Sequence, residues 1–225
     1  MNTAAQIAPA ASPTRYATLK WSVLITLCLI AAAAVIRRIF ALLLPHGPAP
    51  TPQLAALDAA FAAHRGLTLF HIIPALVCVA LTPFWFSRRV RQNPAAHRRV
   101  TLAFFLTAAI TGLTALPLTL RPIGGINESA ASILFDGLFL FSLARAWLFF
   151  RRNNAPLHRA WMIRAIAVLL GIATTRPVMG IFFATSSITH LQPQQFFGTA
   201  FWIGFTTTYI AGEAYLRAFP VSSTK

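Results

Sequence analysis

Two histidines open two apolar stretches in the same way. Asn93-Pro94-Ala95-Ala96-His97-Arg98 returns loosely as Asn154-Ala155-Pro156-Leu157-His158-Arg159, 61 positions on, with Arg91 and Arg152 preceding the phrases in register. Neutral imidazoles at matching depth on facing helices are an arrangement that can ligate one haem b iron axially, with Arg98 and Arg159 near the propionates. The simpler reading is that each His-Arg pair anchors a helix end at lipid headgroups. Other ionisable residues fall inside apolar runs: His71, Asp136 and Arg176 in one layer, and Arg145, Arg164 and Glu213 in a second. A charge at a bilayer centre costs about 2.5–3.5 kcal/mol even on lenient insertion scales, so each is expected to have a partner. The natural pairings are Asp136 with Arg176, and Glu213 with Arg145 or Arg164. Such pairs either pin helices together or line a path for a small solute or proton.

The elements that must carry these residues are helices crossing lipid. Apolar residues make up 57% of the 225 positions and charged ones only 10%, far from the balance of a soluble domain. Apolar runs of the length that spans a hydrocarbon core, roughly 20 residues, fall at about Thr18–Ile36, Gly66–Phe86, Pro94–Leu118, Ala130–Phe150, Ala155–Phe183 and Phe196–Leu216. The expected fold is therefore an all-α, polytopic membrane bundle of about six transmembrane helices. The doubled phrase makes it an internal repeat, helices two and three resembling four and five. Residues 17–218 form that bundle, between an Ala/Pro-rich cytoplasmic tail at 1–16 and a short cytoplasmic tail at 219–225. Lys20 ahead of an apolar core and Ala31–Ala34 also resembles a signal peptide, although the core is long for one. Between the first two spans, Leu54, Leu57 and Phe61 at helical spacing describe an amphipathic segment lying at the surface.

A net charge of +15 suggests nucleic acid in a soluble protein, but its placement says otherwise. Arg88, Arg89, Arg91, Arg98 and Arg99 crowd one connection, and Arg151, Arg152 and Arg159 another. Short arginine-rich connections mark the cytoplasmic side of a bacterial inner membrane, which leaves both termini inside and makes the bilayer the partner. Arg37 and Arg38, expected to close the first span, are the exception. No basic face remains for nucleic acid. Cys28 and Cys78 lie within apolar runs as packing residues, and no metal-type spacing occurs. Nor is there a nucleophile triad or phosphate loop.

Several of these stretches resemble one family. Leu81-Thr-Pro-Phe-Trp-Phe with the following arginines and His97-Arg98, His158-Arg-Ala-Trp-Met-Ile-Arg164 continuing to Thr174-Thr-Arg176, and Trp202 through Glu213 are similar to blocks of domain of unknown function 2306. That resemblance implies a bacterial integral membrane protein and marks His71, His97, His158, Arg164, Arg176 and Glu213; it implies no reaction. Members usually read His-Arg-x-x-Gly, whereas Thr101 stands here at the fourth place after His97. Three functions are then open: a structural or sensory membrane component with buried ion pairs, a b-type haem redox protein using His97 and His158, or a transporter of a small solute or protons.

Overall fold

The computed structural model describes residues 13–44 and 51–219, so the expected tails lie largely outside it. Among the described residues every regular element is a helix. In chain order they are α1 (Pro13–Leu43), α2 (Pro52–Ala62), α3 (Arg65–Phe86), α4 (Arg88–Gln92), α5 (Pro94–Thr119), α6 (Gly125–Arg151), α7 (Ala155–Leu169), α8 (Gly171–Thr189) and α9 (Pro193–Ala218). The most intimate neighbours are α3 with α5, α6 with α7, and α8 with α9.

The repeated phrase does the same local work twice. Asn93 accepts a hydrogen bond from the Ala96 amide at 3.0 Å, and Asn154 accepts one from the Leu157 amide at 3.1 Å. Each satisfies an amide that the first turn leaves without a partner, and proline early in that turn has no amide to satisfy. The arginine-rich segment between α3 and α5 coils into the short α4. Cys28 and Cys78 are buried free thiols, as packing residues should be.

Five helical segments are long and apolar enough to cross a bilayer: Ala17–Leu43, Arg65–Phe86, Pro94–Thr119, Gly125–Arg151 and Ala155–Thr189. Three differ from the expected spans. The first does not end at Arg37 and Arg38 but runs on through Ile39 to Leu43, because the residues after the arginines are again apolar. The fourth begins at Gly125, whose φ of +65° suits glycine and turns the chain into the helix. The last is not one helix but two, α7 and α8, meeting at Leu170. Gly171 starts α8 where the Phe205 ring of α9 lies so close that a Cβ would collide with it.

The expected sixth span is α9, a helix of 26 residues that is less apolar than the five. Its buried face is cut from small residues at every fourth position: Ala200, Gly204, Thr208 and Gly212. A Cβ on Gly204 would lie 2.6 Å from the Thr175 amide nitrogen and 2.8 Å from its Cα. The two backbones thus touch, and Thr174 donates its hydroxyl to the Gly204 carbonyl at 2.7 Å. In lipid, helices gain nothing by hiding apolar surface from tails that are equally apolar, so close backbone packing and interhelical hydrogen bonds hold such contacts.

The amphipathic segment expected at 54–61 is α2, capped by Thr51. It does more than lie at the surface: Leu57 is buried with Met179, Phe197 and Ala200. Asp58 holds α2 to α1 by accepting from Arg37 at 2.8 Å and from Arg38, and the Arg38 guanidinium lies 3.9 Å over the Phe61 ring. The two arginines that broke the charge pattern therefore share one carboxylate.

Candidate functional site

At the end of the bundle capped by α2, a partly open cavity of about 240 Å³ is lined by residues of every helix except α4. Arg38, His71, Glu128, Asp136 and Arg176 line it, together with Ser132, Thr111 and Thr119. Its walls are aromatic: Phe135 stacks on Phe205 at 5.2 Å, and Phe197, Phe201 and Phe205 follow one another along α9. The outer polar layer read from the sequence is thus one lining, extended by Arg38 and Glu128.

Most of the polar groups in this lining are occupied. Arg38 is taken by Asp58. Glu128 accepts the Gly124 amide at 2.7 Å, which closes the turn into α6 as a carboxylate does near a helix start. His71 donates Nδ1–H to the Thr111 carbonyl at 3.0 Å, so its Nε2 is the nitrogen left for the cavity. Two groups are not occupied. No hydrogen bond or ion pair joins Asp136 to Arg176, contrary to expectation; Asp136 Oδ2 and Arg176 Nε are both buried without a partner. Among the described residues, the hydrogen-bond contact of the Arg176 side chain is with the Met179 sulfur, at 3.9 Å. Asp136 and Arg176 both line the cavity, but their placement on α6 and α8 does not bring them into hydrogen-bonding contact.

The second layer behaves differently. Arg164 grips Glu213 with two hydrogen bonds, Nε to Oε1 at 2.5 Å and Nη2 to Oε2 at 3.1 Å. Of the two partners considered for Glu213, the structure chooses Arg164. Arg145 instead faces rings, 5.0 Å from the Phe149 centroid and 5.4 Å from that of Trp161, while Arg164 lies 4.6 Å from the same Trp161. Trp161 is shared by both guanidiniums, an arrangement favourable to cations away from water.

His97 and His158 do come near each other, but through a third residue. The Trp85 ring centroid is 6.1 Å from that of His97 and 6.2 Å from that of His158. Phe105 and Phe150 complete the surroundings of His158 at 6.0 and 5.3 Å. His158 donates Nδ1–H to the Ala146 carbonyl at 3.0 Å, and its Nε2 has no partner. The rings packed nearest the two imidazoles are those of protein side chains, Trp85 against both and Phe105 and Phe150 against His158, and none of these contacts points to a haem. Among the described residues no group of three or more His, Cys, Asp or Glu side chains could hold a metal ion.

Sequence reasoning missed Asp58, Glu128 and Trp85. The chain has only four acidic residues, and matching each in turn against the intramembrane arginines would have pointed to Asp58 with Arg37 and Arg38. Nothing in the sequence placed Trp85 against both histidines, since that contact is made by a third helix.

A multi-pass, all-helical bundle with ion pairs and a charged cavity inside it defines an integral membrane protein. The family model described as predicted membrane protein, DUF2306, matches residues 68–213, and the chain belongs to that family. No curated protein and no solved structure matches it significantly.

Proposed function

We propose that this is a six-span protein of the bacterial inner membrane that binds a small polar ligand in the cavity beneath α2, acting as a sensory membrane component. The observation carrying this reading is that Asp136 and Arg176 line one cavity, and that Asp136 Oδ2 and Arg176 Nε are buried with no hydrogen-bond partner among the described residues. An uncompensated buried charge costs several kcal/mol, so a lining whose only task was to pin helices would pair them, as Arg164 and Glu213 are paired. Ligand sites, in contrast, combine apolar walls with a few convergent polar groups. Transport is the weaker reading. Apolar Phe139, Val168, Leu169 and Ile172 line the cavity as well, and Arg164 and Glu213, which do not line it, are held by each other.

Six spans follow if α9 crosses beside α8. At 1.5 Å per residue its length is about 39 Å, ample for a hydrocarbon core. An even number leaves both termini on one side, and the arginines of α4, the start of α5 and the α6–α7 connection make that side cytoplasmic. Asp58 offsets Arg37 and Arg38 at the other end. The helix-pair repeat is supported by one parallel: the ring of His97 lies against Trp85, and that of His158 against the Ala146 carbonyl, in each case twelve residues earlier.

Two labelling experiments test these readings separately. With Cys28 and Cys78 replaced by alanine, Arg89→Cys should react with an impermeant thiol reagent only from the cytoplasmic side. Reaction from the outside would reverse the orientation. In the same background, Ser132→Cys should react with a small hydrophilic methanethiosulfonate, because Ser132 lines the cavity. An inert thiol at 132 in folded protein would remove the ligand reading.

A further inference from the structure

From the charges left open in the cavity we infer that its ligand is a small zwitterion with an apolar body, bound with its cationic end at Asp136 and its anionic end at Arg176. This rests on the ligand-site reading above and adds the chemistry of the occupant.

The argument is a matching of groups. Four ionisable side chains line the cavity: Arg38, Glu128, Asp136 and Arg176. Asp58 pairs with Arg38 while also holding Arg37, and the Gly124 amide donates to Glu128. One carboxylate and one guanidinium remain, on α6 and α8, each with a buried polar atom lacking a partner. A ligand that satisfies both must present a donor, best an ammonium, to the carboxylate, and an acceptor, best a carboxylate or phosphate, to the guanidinium. A ligand with a single charge would leave the opposite protein charge buried and uncompensated. The occupant is therefore one that carries both charges and is neutral overall.

The rest of the lining specifies its body. Phe135, Phe139, Phe201 and Phe205 give a flat apolar surface beside the two charges. A cavity of about 240 Å³ suits a molecule with the bulk of an apolar amino acid. The headgroup of a zwitterionic phospholipid carries the same pair of charges, so free amino acids and lipid are the two sources to separate.

The test uses the Ser132→Cys protein, with Cys28 and Cys78 replaced by alanine, in nanodiscs of phosphatidylglycerol alone. The rate of thiol modification is measured with L-phenylalanine, with its amide (cation only), with its N-acetyl derivative (anion only) and with the doubly blocked compound. Protection by L-phenylalanine, with each blocked compound at least about tenfold weaker, is the expected result for a free amino acid. Asp136→Asn should then erase the penalty for blocking the amine and keep that for blocking the carboxylate; Arg176→Gln should do the reverse. Slowed labelling on adding phosphatidylethanolamine, with no effect of amino acids, assigns the same site to a lipid headgroup. Equal protection by all four compounds overturns the inference, as does a reactive thiol that neither amino acid nor phosphatidylethanolamine protects. A thiol at 132 that never reacts removes the cavity reading itself. Because the blocked-ligand series needs neither charge variant, it decides the question even if those variants fail to fold.

Discussion

Glu213→Ala should lower the stability of the bundle by about 3 kcal/mol, read as an earlier transition in detergent on heating or SDS titration. Removing one partner of a buried pair leaves the other charged and unmatched, which costs more than the pair contributes. Both side chains keep about a quarter of their surface outside the packed protein, 23% for Arg164 and 27% for Glu213. That surface faces lipid rather than water in a spanning helix, so the stranded Arg164 gains little hydration. The double change Arg164→Met with Glu213→Leu should recover most of the loss, because it removes both charges and keeps the volume. Glu213→Ala protein that melts with the parent would show that the two hydrogen bonds carry no weight.

Gly204→Val should be at least as damaging, with a loss of about 3 kcal/mol or more. Its Cβ would sit against the Thr175 backbone, where no flexible side chain can yield, so α9 must move off α8. The shift would also stretch the hydrogen bond from Thr174 to the Gly204 carbonyl. By contrast, Gly180→Val on α8, where an added Cβ meets nothing within 4 Å, should be near neutral or slightly stabilising, since valine is a better helix former than glycine. Comparing the two melting transitions checks the seam directly. Equal behaviour would mean that the α8–α9 contact does not hold the helices.

Much of the architecture is legible in the residues because lipid imposes simple rules. The asparagine caps, the five apolar segments and a partner for Glu213 all follow from patterns along one helix or from depth in the membrane. Depth is also where the reading fails. It gives a residue's height in the bundle but not the direction in which its helix turns it. Asp136 and Arg176, expected to pair, line one cavity without bonding each other, and of Arg145 and Arg164 only the second reaches Glu213. Depth likewise gives no hint that Trp85 of α3 lies against the rings of both His97 and His158. The break at Leu170 depends on a phenylalanine contributed by α9, which no local signal around Gly171 announces.

The modest apolarity of α9 bears on how the molecule is made. A segment carrying Glu213 and three consecutive threonines gains little by entering the bilayer unaccompanied, whereas its glycine and alanine notches match a surface that α7 and α8 present. Its insertion is therefore coupled to theirs: the ribosome must have delivered Arg164 and Thr175 before the final helix has anything to receive it. In the six-span arrangement, biogenesis ends with a docking step, and the carboxylate at 213 is shielded on arrival instead of crossing the hydrocarbon bare.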